Sequence, residues 1–182
     1  MRIKEFEIAE MDAAQRAVAE EAIAGKRGRV PAPLRAWLHS PELGRRAQKL
    51  GEFVRFDTSL PAALSELAIL VTARHWTSHF EWYAHKRDGL AAGIDPAVIT
   101  AIAARQAPVL SDAKAQLVHD YAKTLLVTGR VPDDLHAAAA DALGERGVVD
   151  LVGIVGYYSL VALTLNAFEI GLPDGVQPEL DP

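Results

Sequence analysis

Apolar residues recur at intervals of three and four along most of this chain, the spacing of one face of an α-helix. Leu64, Leu67, Ala68 and Val71, for example, follow this spacing in the segment before residue 77. No segment stands out with the period-two alternation of a half-buried β-strand. We therefore predict an all-α fold, built as an antiparallel helix-hairpin bundle.

Capping and turn residues divide the chain into separate helices. Ser40-Pro41 and Asp95-Pro96 each place a capping side chain before a proline, which suits the first helical position. Gly129 and Gly144 are suited to end helices. The predicted helices span residues 10–26, 40–56, 95–104, 111–129, 131–144 and 148–168, with two more meeting near residue 77.

The last predicted helix is apolar nearly all round, and we expect it to be deeply buried. Its Gly153-x-x-Gly156 motif would let another backbone approach closely. Residues 151–168 form an uncharged run of eighteen, the length at which a membrane span becomes a candidate. Polar residues and glycines within the run favour a core or subunit-interface helix instead. The residues expected to line the core around the 40–56 helix are Trp37, Leu43, Leu50 and Phe53.

Composition restricts the chemistry that this chain can perform. Its 182 residues suit one domain, 1–182. The net charge of −5 does not indicate a basic surface for binding nucleic acid. The absence of cysteine excludes disulfides, thiolate metal ligands and thiol nucleophiles. The first residues, Met1–Ile8, lack the apolar segment of a signal peptide, so we expect a cytoplasmic protein without a membrane partner.

The most concentrated set of chemically useful side chains lies around residue 78. Ser78, Glu81 and His85 are offset by three and seven residues, which places them on one stripe of a helix. Glu66 lies twelve residues before Ser78 in an apolar run, where an ionised carboxylate needs a partner. A chain reversal near Thr77 would bring all four residues together, and a buried glutamate beside a histidine is typical of active sites.

Simpler explanations exist for each of these residues. Ser78-x-x-Glu81 has the form of a capping box, and His85 could be an exposed partner of Glu81 on the same helix. His75 and His79 have the spacing of a metal pair, but a helix break near Thr77 would spoil it, so we expect no metal. The cations that could hold a substrate carboxylate are Arg74, Lys86 and Arg87, and the polar groups that could line a pocket are Tyr157 and Tyr158.

Glu66, Ser78, Glu81 and His85 have a spacing that resembles a known motif, Glu-x(11)-Cys-x-x-Cys-x-x-x-His. This motif belongs to the alkylhydroperoxidase D-like branch of the carboxymuconolactone decarboxylase family. Glu66 and His85 match the glutamate and the histidine, while Ser78 and Glu81 replace the two cysteines. The segments 30–43 and 93–102 also resemble this family. The resemblance implies a helical core over residues 30–172, preceded by an N-terminal helix extension over 1–29, and assembly into a homo-oligomer, a trimer or hexamer.

Three functions follow from these observations. The first is decarboxylation or a related lyase or isomerase step on a small organic acid or lactone, without a cofactor. In that function His85 moves the proton, Glu66 orients it, Glu81 is a second acid or base, and the amides after Ser78 receive negative charge. The second is the peroxidase activity associated with the family, for which the chain lacks the thiols. The third is a non-catalytic ligand-binding module.

Overall fold

The computed structural model describes all 182 residues as eight α-helices with no β-strand, which confirms the predicted fold class. A single 3-10 turn, Ile8–Glu10, precedes the first helix. The helices are α1 (Ala13–Ala24), α2 (Ala32–Trp37), α3 (Pro41–Phe56), α4 (Ala62–His75), α5 (His79–Ala91), α6 (Pro96–Ala103), α7 (Ala113–Thr128) and α8 (Asp133–Ala167).

Several helices begin and end at the residues that the sequence indicates. The Asp95 side chain accepts a hydrogen bond from the amide of Ala97 at the start of α6, and Asp112 accepts from the first amides of α7. Gly129 ends α7 in the left-handed conformation, with φ 70°. Gly144, with φ 73° and ψ 160°, kinks α8 where the sequence predicts two separate helices.

Helix α4 is the central element, and it packs against α5, α7 and α8. All eleven residues from Leu64 to Arg74 are buried, because the helix is surrounded by neighbours on every side. One cluster of 37 buried apolar residues extends from Met11 to Leu180, so residues 1–29 contribute side chains to the same core as the rest of the chain.

Helix α3 turns a different face to the core than the sequence pattern indicates. Leu43, Leu50 and Phe53 are exposed by 48, 48 and 41%, so the prediction that they line the core is wrong, although Trp37 is buried. The buried face of α3 instead carries small residues, which allow neighbouring groups to approach the helix closely. A Cβ at Gly44 would lie 3.2 Å from the Trp37 carbonyl oxygen, and one at Gly51 would lie 2.0 Å from the Tyr157 hydroxyl.

Helix α8 is buried on one face only, so the expectation that it is deeply buried holds for half of it. Val149, Val152, Leu160 and Leu163 are between 38 and 70% exposed, and Gly156 has no neighbouring atom within 4 Å of a Cβ built on it. This helix is long and apolar enough to cross a membrane, but 61% of its most apolar stretch is buried inside the protein, as in the core helix of a soluble protein.

Four helices end in the same hydrogen-bonded motif. After α4, α5, α6 and α8, the third residue beyond the helix donates its amide to a carbonyl five residues earlier, as Ser78 does to Ala73 at 2.9 Å. The residue before that donor is left-handed in each case. Glycine holds this position only after α5, whereas Thr77, Arg105 and Glu169 hold it elsewhere with φ of 46°, 58° and 49°.

Candidate functional site

The chain reversal between α4 and α5 brings Glu66 and His85 together. Thr77, in the left-handed conformation, ends α4, and α5 starts directly after Ser78, so the two helices lie side by side. His85 Nδ1 lies 2.7 Å from Glu66 Oε2, and both residues are buried, with exposed fractions of 5 and 9%. The sequence-based expectation that these two residues lie together thus agrees with their positions.

Ser78 occupies the predicted N-cap position of α5, but the predicted capping box is absent. Its side chain caps no amide, and its Oγ is buried without a hydrogen-bond partner. The reciprocal bond from Glu81 is also absent, because the Ser78 amide already donates to Ala73. Ser78 also does not line the large cavity that Glu81 and His85 line. The capping explanation for Glu81 therefore fails.

Arg55 and Asp88 complete a partly buried network around the imidazole. His85 Nε2 lies 3.3 Å from an Arg55 nitrogen, and the Arg55 guanidinium forms an ion pair with Asp88. Because an arginine can only donate, Nε2 carries the lone pair and Nδ1–H donates to Glu66. Burial alone would raise the pKa of Asp88, but hydrogen bonds from Arg55 and Arg87 outweigh it and lower the pKa. The neutral ring is thus fixed in one tautomer and one orientation.

Glu81 is the most isolated carboxyl group of the site. The residue is 2% exposed, and neither of its oxygens has a hydrogen-bond partner. Burial raises its pKa well above the ordinary value of 4.5, because ionisation here would leave a charge without solvent or a counter-ion. Burial therefore favours the neutral carboxylic acid, which can donate a hydrogen bond or a proton.

Two tyrosines from α8 lie beside these groups. The Tyr158 ring packs edge-on against His85, with 4.8 Å between the ring centroids, and against Tyr157 at 5.3 Å. Burial raises the pKa of Tyr157 to about 12 and that of Tyr158 further, so both remain phenols. The Tyr158 hydroxyl has no partner. Like the Ser78 Oγ and the Glu81 carboxyl group, it is a buried polar group without a hydrogen-bond partner.

These groups open onto a cavity of about 620 Å³, the size of a pocket for a small organic ligand. Glu81, His85, Tyr157 and Tyr158 form part of its wall. Six cationic side chains also line it, against three acidic ones, Glu81, Asp88 and Asp174. The six are Lys26, Arg27, Arg29, Arg35, Arg55 and Arg87.

Most of these cations were not identified by sequence reasoning. Arg87 is one of the three carboxylate-binding candidates and does line the cavity, but Lys86 forms an ion pair with Glu179 and Arg74 lies in a different cavity. Lys26, Arg27 and Arg29 come from the connection between α1 and α2. The sequence signal for them is the dense basic run Gly-Lys-Arg-Gly-Arg over residues 25–29.

The same region contains the one group of residues with metal-ligand chemistry and geometry. One ligand atom each from Glu66, His85 and Asp88 lies within 4.8 Å of the others. The Arg55 guanidinium occupies this space, however, since it contacts both His85 Nε2 and Asp88. A cation could bind there only if Arg55 moved away. The residues therefore fit a proton-transfer network better than a metal centre.

The arrangement of helices defines an all-helical protein with the fold of the alkylhydroperoxidase D core. The solved structure that establishes this fold is an alkylhydroperoxidase AhpD core, an uncharacterized peroxidase-related protein from Ralstonia eutropha. The two chains are 17% identical and superpose with a TM-score of 0.77 over 95% of this chain and 92% of that one. No protein-family profile and no curated protein matches this sequence.

Proposed function

We propose that this protein is an enzyme of the carboxymuconolactone decarboxylase type, which performs acid–base chemistry on a small organic acid or lactone without a cofactor. The observation that carries the proposal is the His85 imidazole at the wall of a cation-lined cavity, held at 2.7 Å by a buried glutamate. A histidine positioned in this way is the usual general base of enzymes. The reaction is a decarboxylation or a related lyase or isomerase step.

The cations supply the binding energy for an anionic substrate. Guanidinium groups match carboxylates with two parallel hydrogen bonds, and several of them surround the cavity. Arg55 has a particular role, because it donates to His85 Nε2 in the free protein. A substrate carboxylate that takes over this donor leaves the Nε2 lone pair free to accept a proton. Substrate binding and activation of the base are thereby coupled.

The chemical step then uses the three buried groups in different roles. His85 Nε2 removes a proton from the carbon next to a carbonyl group, the electron pair of that C–H bond forms a carbon–carbon double bond, and the π pair of the carbonyl group moves onto its oxygen. Glu66 stabilises the resulting imidazolium through Nδ1–H. The neutral Glu81 carboxyl group hydrogen-bonds the developing oxyanion. In a substrate with a carbon–carbon double bond between the β and γ carbons, return of the proton from His85 to the γ carbon shifts the double bond next to the carbonyl group and completes an isomerisation.

Peroxidase activity is the alternative suggested by the name of the structural neighbour. That chemistry needs a group that can be oxidised and reduced in each cycle, as a thiol can. Ser78 and Glu81, which stand at the positions of the two cysteines in the resembling motif, have no such oxidation step, and the chain has no cysteine. A dithiol mechanism therefore cannot operate here.

A test of the proposal is exchange of substrate hydrogen for deuterium, followed by NMR with a panel of small keto acids and lactones in D2O. This assay detects the proton-transfer step even when the complete reaction is unknown. We expect exchange with the wild type and a loss of about 10² to 10⁴ in rate for His85→Gln. His136→Gln, which changes an exposed histidine outside the cavity, is the matched control and should retain the rate.

The same histidine also supports the fold. His85→Ala leaves the Glu66 carboxylate buried without a partner, which costs about 1 to 3 kcal/mol of unfolding free energy in urea denaturation. Glu66→Gln should lower kcat while KM stays close to the wild-type value, because Glu66 orients the base and does not line the cavity. Binding of the acids without any exchange would establish a ligand-binding module, and consumption of hydroperoxide with dithiols would establish a peroxidase.

A further inference from the structure

A second, smaller cavity of about 110 Å³ lies where the ends of α4 and α6 meet α7. Three permanently cationic side chains line it: Arg74 from α4, Arg105 from just beyond α6, and Lys123 from α7. His75 and His119 lie in the same wall, and no aspartate or glutamate does. This concentration of positive charge is independent of the Glu66–His85 site.

None of the three cations forms a salt bridge within the chain. Arg74 is only 5% exposed, and its Nε donates to the Ala103 carbonyl oxygen at 2.7 Å. A second nitrogen of Arg74 and one of Arg105 both donate to the Thr77 hydroxyl, at 3.0 and 3.1 Å. The fold therefore holds two guanidinium groups against one neutral oxygen.

Such convergence of like charges is unfavourable in the free protein. Two positive charges at contact repel by about 1 kcal/mol in water and several times more near a protein surface. Burial and the charge of Arg105 lower the pKa of both Arg74 and His75. The negative charge of Asp181 partly offsets this effect by raising the pKa of Arg74. An anion in the cavity would remove this repulsion.

Helix dipoles explain part of the arrangement. Arg74 lies in the last turn of α4 and its partner Ala103 is the last residue of α6, and cations are favourable at both positions. This explanation does not extend to Lys123, which comes from the interior of α7. Nor does it explain why the Arg105 side chain joins Arg74 at the Thr77 hydroxyl.

We propose that this second cavity binds a small oxyanion, a phosphate group, between Arg74, Arg105 and Lys123. Arginine forks and a lysine ammonium are the usual ligands of phosphate oxygens. The cavity holds roughly three to four times the volume of about 30 Å³ that one water takes in the liquid, which suits a single phosphate group and excludes a whole nucleotide. A larger phosphate ester would leave its remaining part in solvent.

The test is titration of the protein with inorganic phosphate by calorimetry, against sodium chloride at the same ionic strength. We expect saturable binding that Arg105→Gln and Lys123→Gln each weaken about ten- to hundredfold, the usual effect of losing one charge-assisted hydrogen bond. Arg130→Gln is the matched control, because Arg130 is exposed and lines neither cavity, and it should bind phosphate like the wild type. Arg74 is left intact, since its hydrogen bond to Ala103 supports the fold.

The His75 ring provides a second measurement at the site. An anion close to this ring offsets the effect of Arg105, so phosphate should move its NMR titration midpoint upward in the wild type and not in Arg105→Gln. Ribose 5-phosphate distinguishes free phosphate from an ester, because equal affinity would mean that the cavity accepts the ester group. The proposal is wrong if chloride produces the same response, if Arg105→Gln binds normally, or if Arg130→Gln loses binding to the same extent.

Discussion

At the scale of single residues, Glu81 gives the clearest prediction about pH. Its folded-state pKa is raised by burial, so between pH 4.5 and that raised pKa the folded protein binds more protons than the unfolded chain. The contribution of Glu81 to the unfolding free energy is therefore fully present below pH 4.5, and it is lost as the pH rises through the folded-state pKa. The unfolding free energy should fall by up to about 1.4 kcal/mol per pH unit across this window.

Glu81→Gln removes the titration and keeps the shape of the side chain. The variant should be more stable than the wild type at pH 8 and similar to it at pH 4.5, as measured by urea denaturation at both values. Glu20→Gln, an exposed glutamate without a partner, should change stability equally little at either pH. Parallel pH dependence of the wild type and Glu81→Gln would mean that Glu81 is solvated and ionised in solution.

The pairing of Glu66 with His85 could be predicted from the sequence, but their surroundings could not. A carboxylate in an apolar run needs a partner. Because Ser78 and His85 share one face of a helix, few residues other than His85 were candidates for that partner. The capping box failed because the same Ser78 amide is required to end α4. The linker cations and Arg55 reach the cavity only through tertiary packing, which no local pattern records.

At the scale of helices, the contact between α3 and α8 depends on Gly51. A Cβ at this position would lie 2.0 Å from the Tyr157 hydroxyl and 3.1 Å from an Arg27 nitrogen. Gly51→Ala should therefore lower the unfolding free energy by about 1 to 3 kcal/mol, the usual cost of overpacking, and displace Tyr157 from the cavity wall. Circular dichroism during thermal unfolding measures the first effect.

The control for Gly51→Ala is Gly153→Ala on α8. A Cβ there would have its nearest neighbour, a Val54 methyl group, at an ordinary 4.0 Å. Because alanine favours a helix over glycine by about 0.5 to 1 kcal/mol, this variant should be neutral or more stable. Equal destabilisation of the two variants would show that α8 tolerates no added methyl group, and the close contact at Gly51 would then have no special role.

The helix boundaries of α3 were predictable, but its buried face was not. A search for large apolar residues selects Leu43, Leu50 and Phe53, which are half exposed. The helix packs instead through Gly44, Ala47, Gly51 and Val54, whose small side chains allow neighbouring backbones and Tyr157 to approach. Close approach selects small residues, so a hydrophobicity pattern indicates the wrong face.

At the scale of the whole molecule, the exposed apolar residues of α3 and α8 predict self-association. The two helices pack against each other, and together they expose Leu50, Phe53, Val149 and Leu163 by 41 to 70%. Isolated apolar side chains are normal on a surface, but several of them on two adjacent helices are typical of an interface. We expect a homo-oligomer, a trimer or hexamer of the 19.6 kDa chain.

Light scattering at micromolar concentration measures the assembly directly. Val149→Glu, which places a charge on the exposed face of α8, should reduce the mass toward that of one chain. Val109→Glu, at a position that is 92% exposed in a loop, should leave the mass unchanged. A wild-type mass of 19.6 kDa would mean that this surface stays exposed to solvent.

Three helices end at a non-glycine residue in the left-handed conformation, and glycine at such a position could increase the stability of the protein. Arg105 lines the second cavity, and the Thr77 hydroxyl accepts hydrogen bonds from Arg74 and Arg105. Glu169 only reaches Arg2, in an exposed ion pair of little energetic value. Glu169→Gly should therefore raise the unfolding free energy by about 1 kcal/mol and the melting temperature by about 2 to 4 °C. Glu169→Ala loses the same ion pair without relieving the backbone, so calorimetry should find no gain for that variant, and a gain in both would locate the benefit in the lost charge. Sites of this kind, where strain serves no ligand, are the positions at which thermostabilisation of this fold should begin.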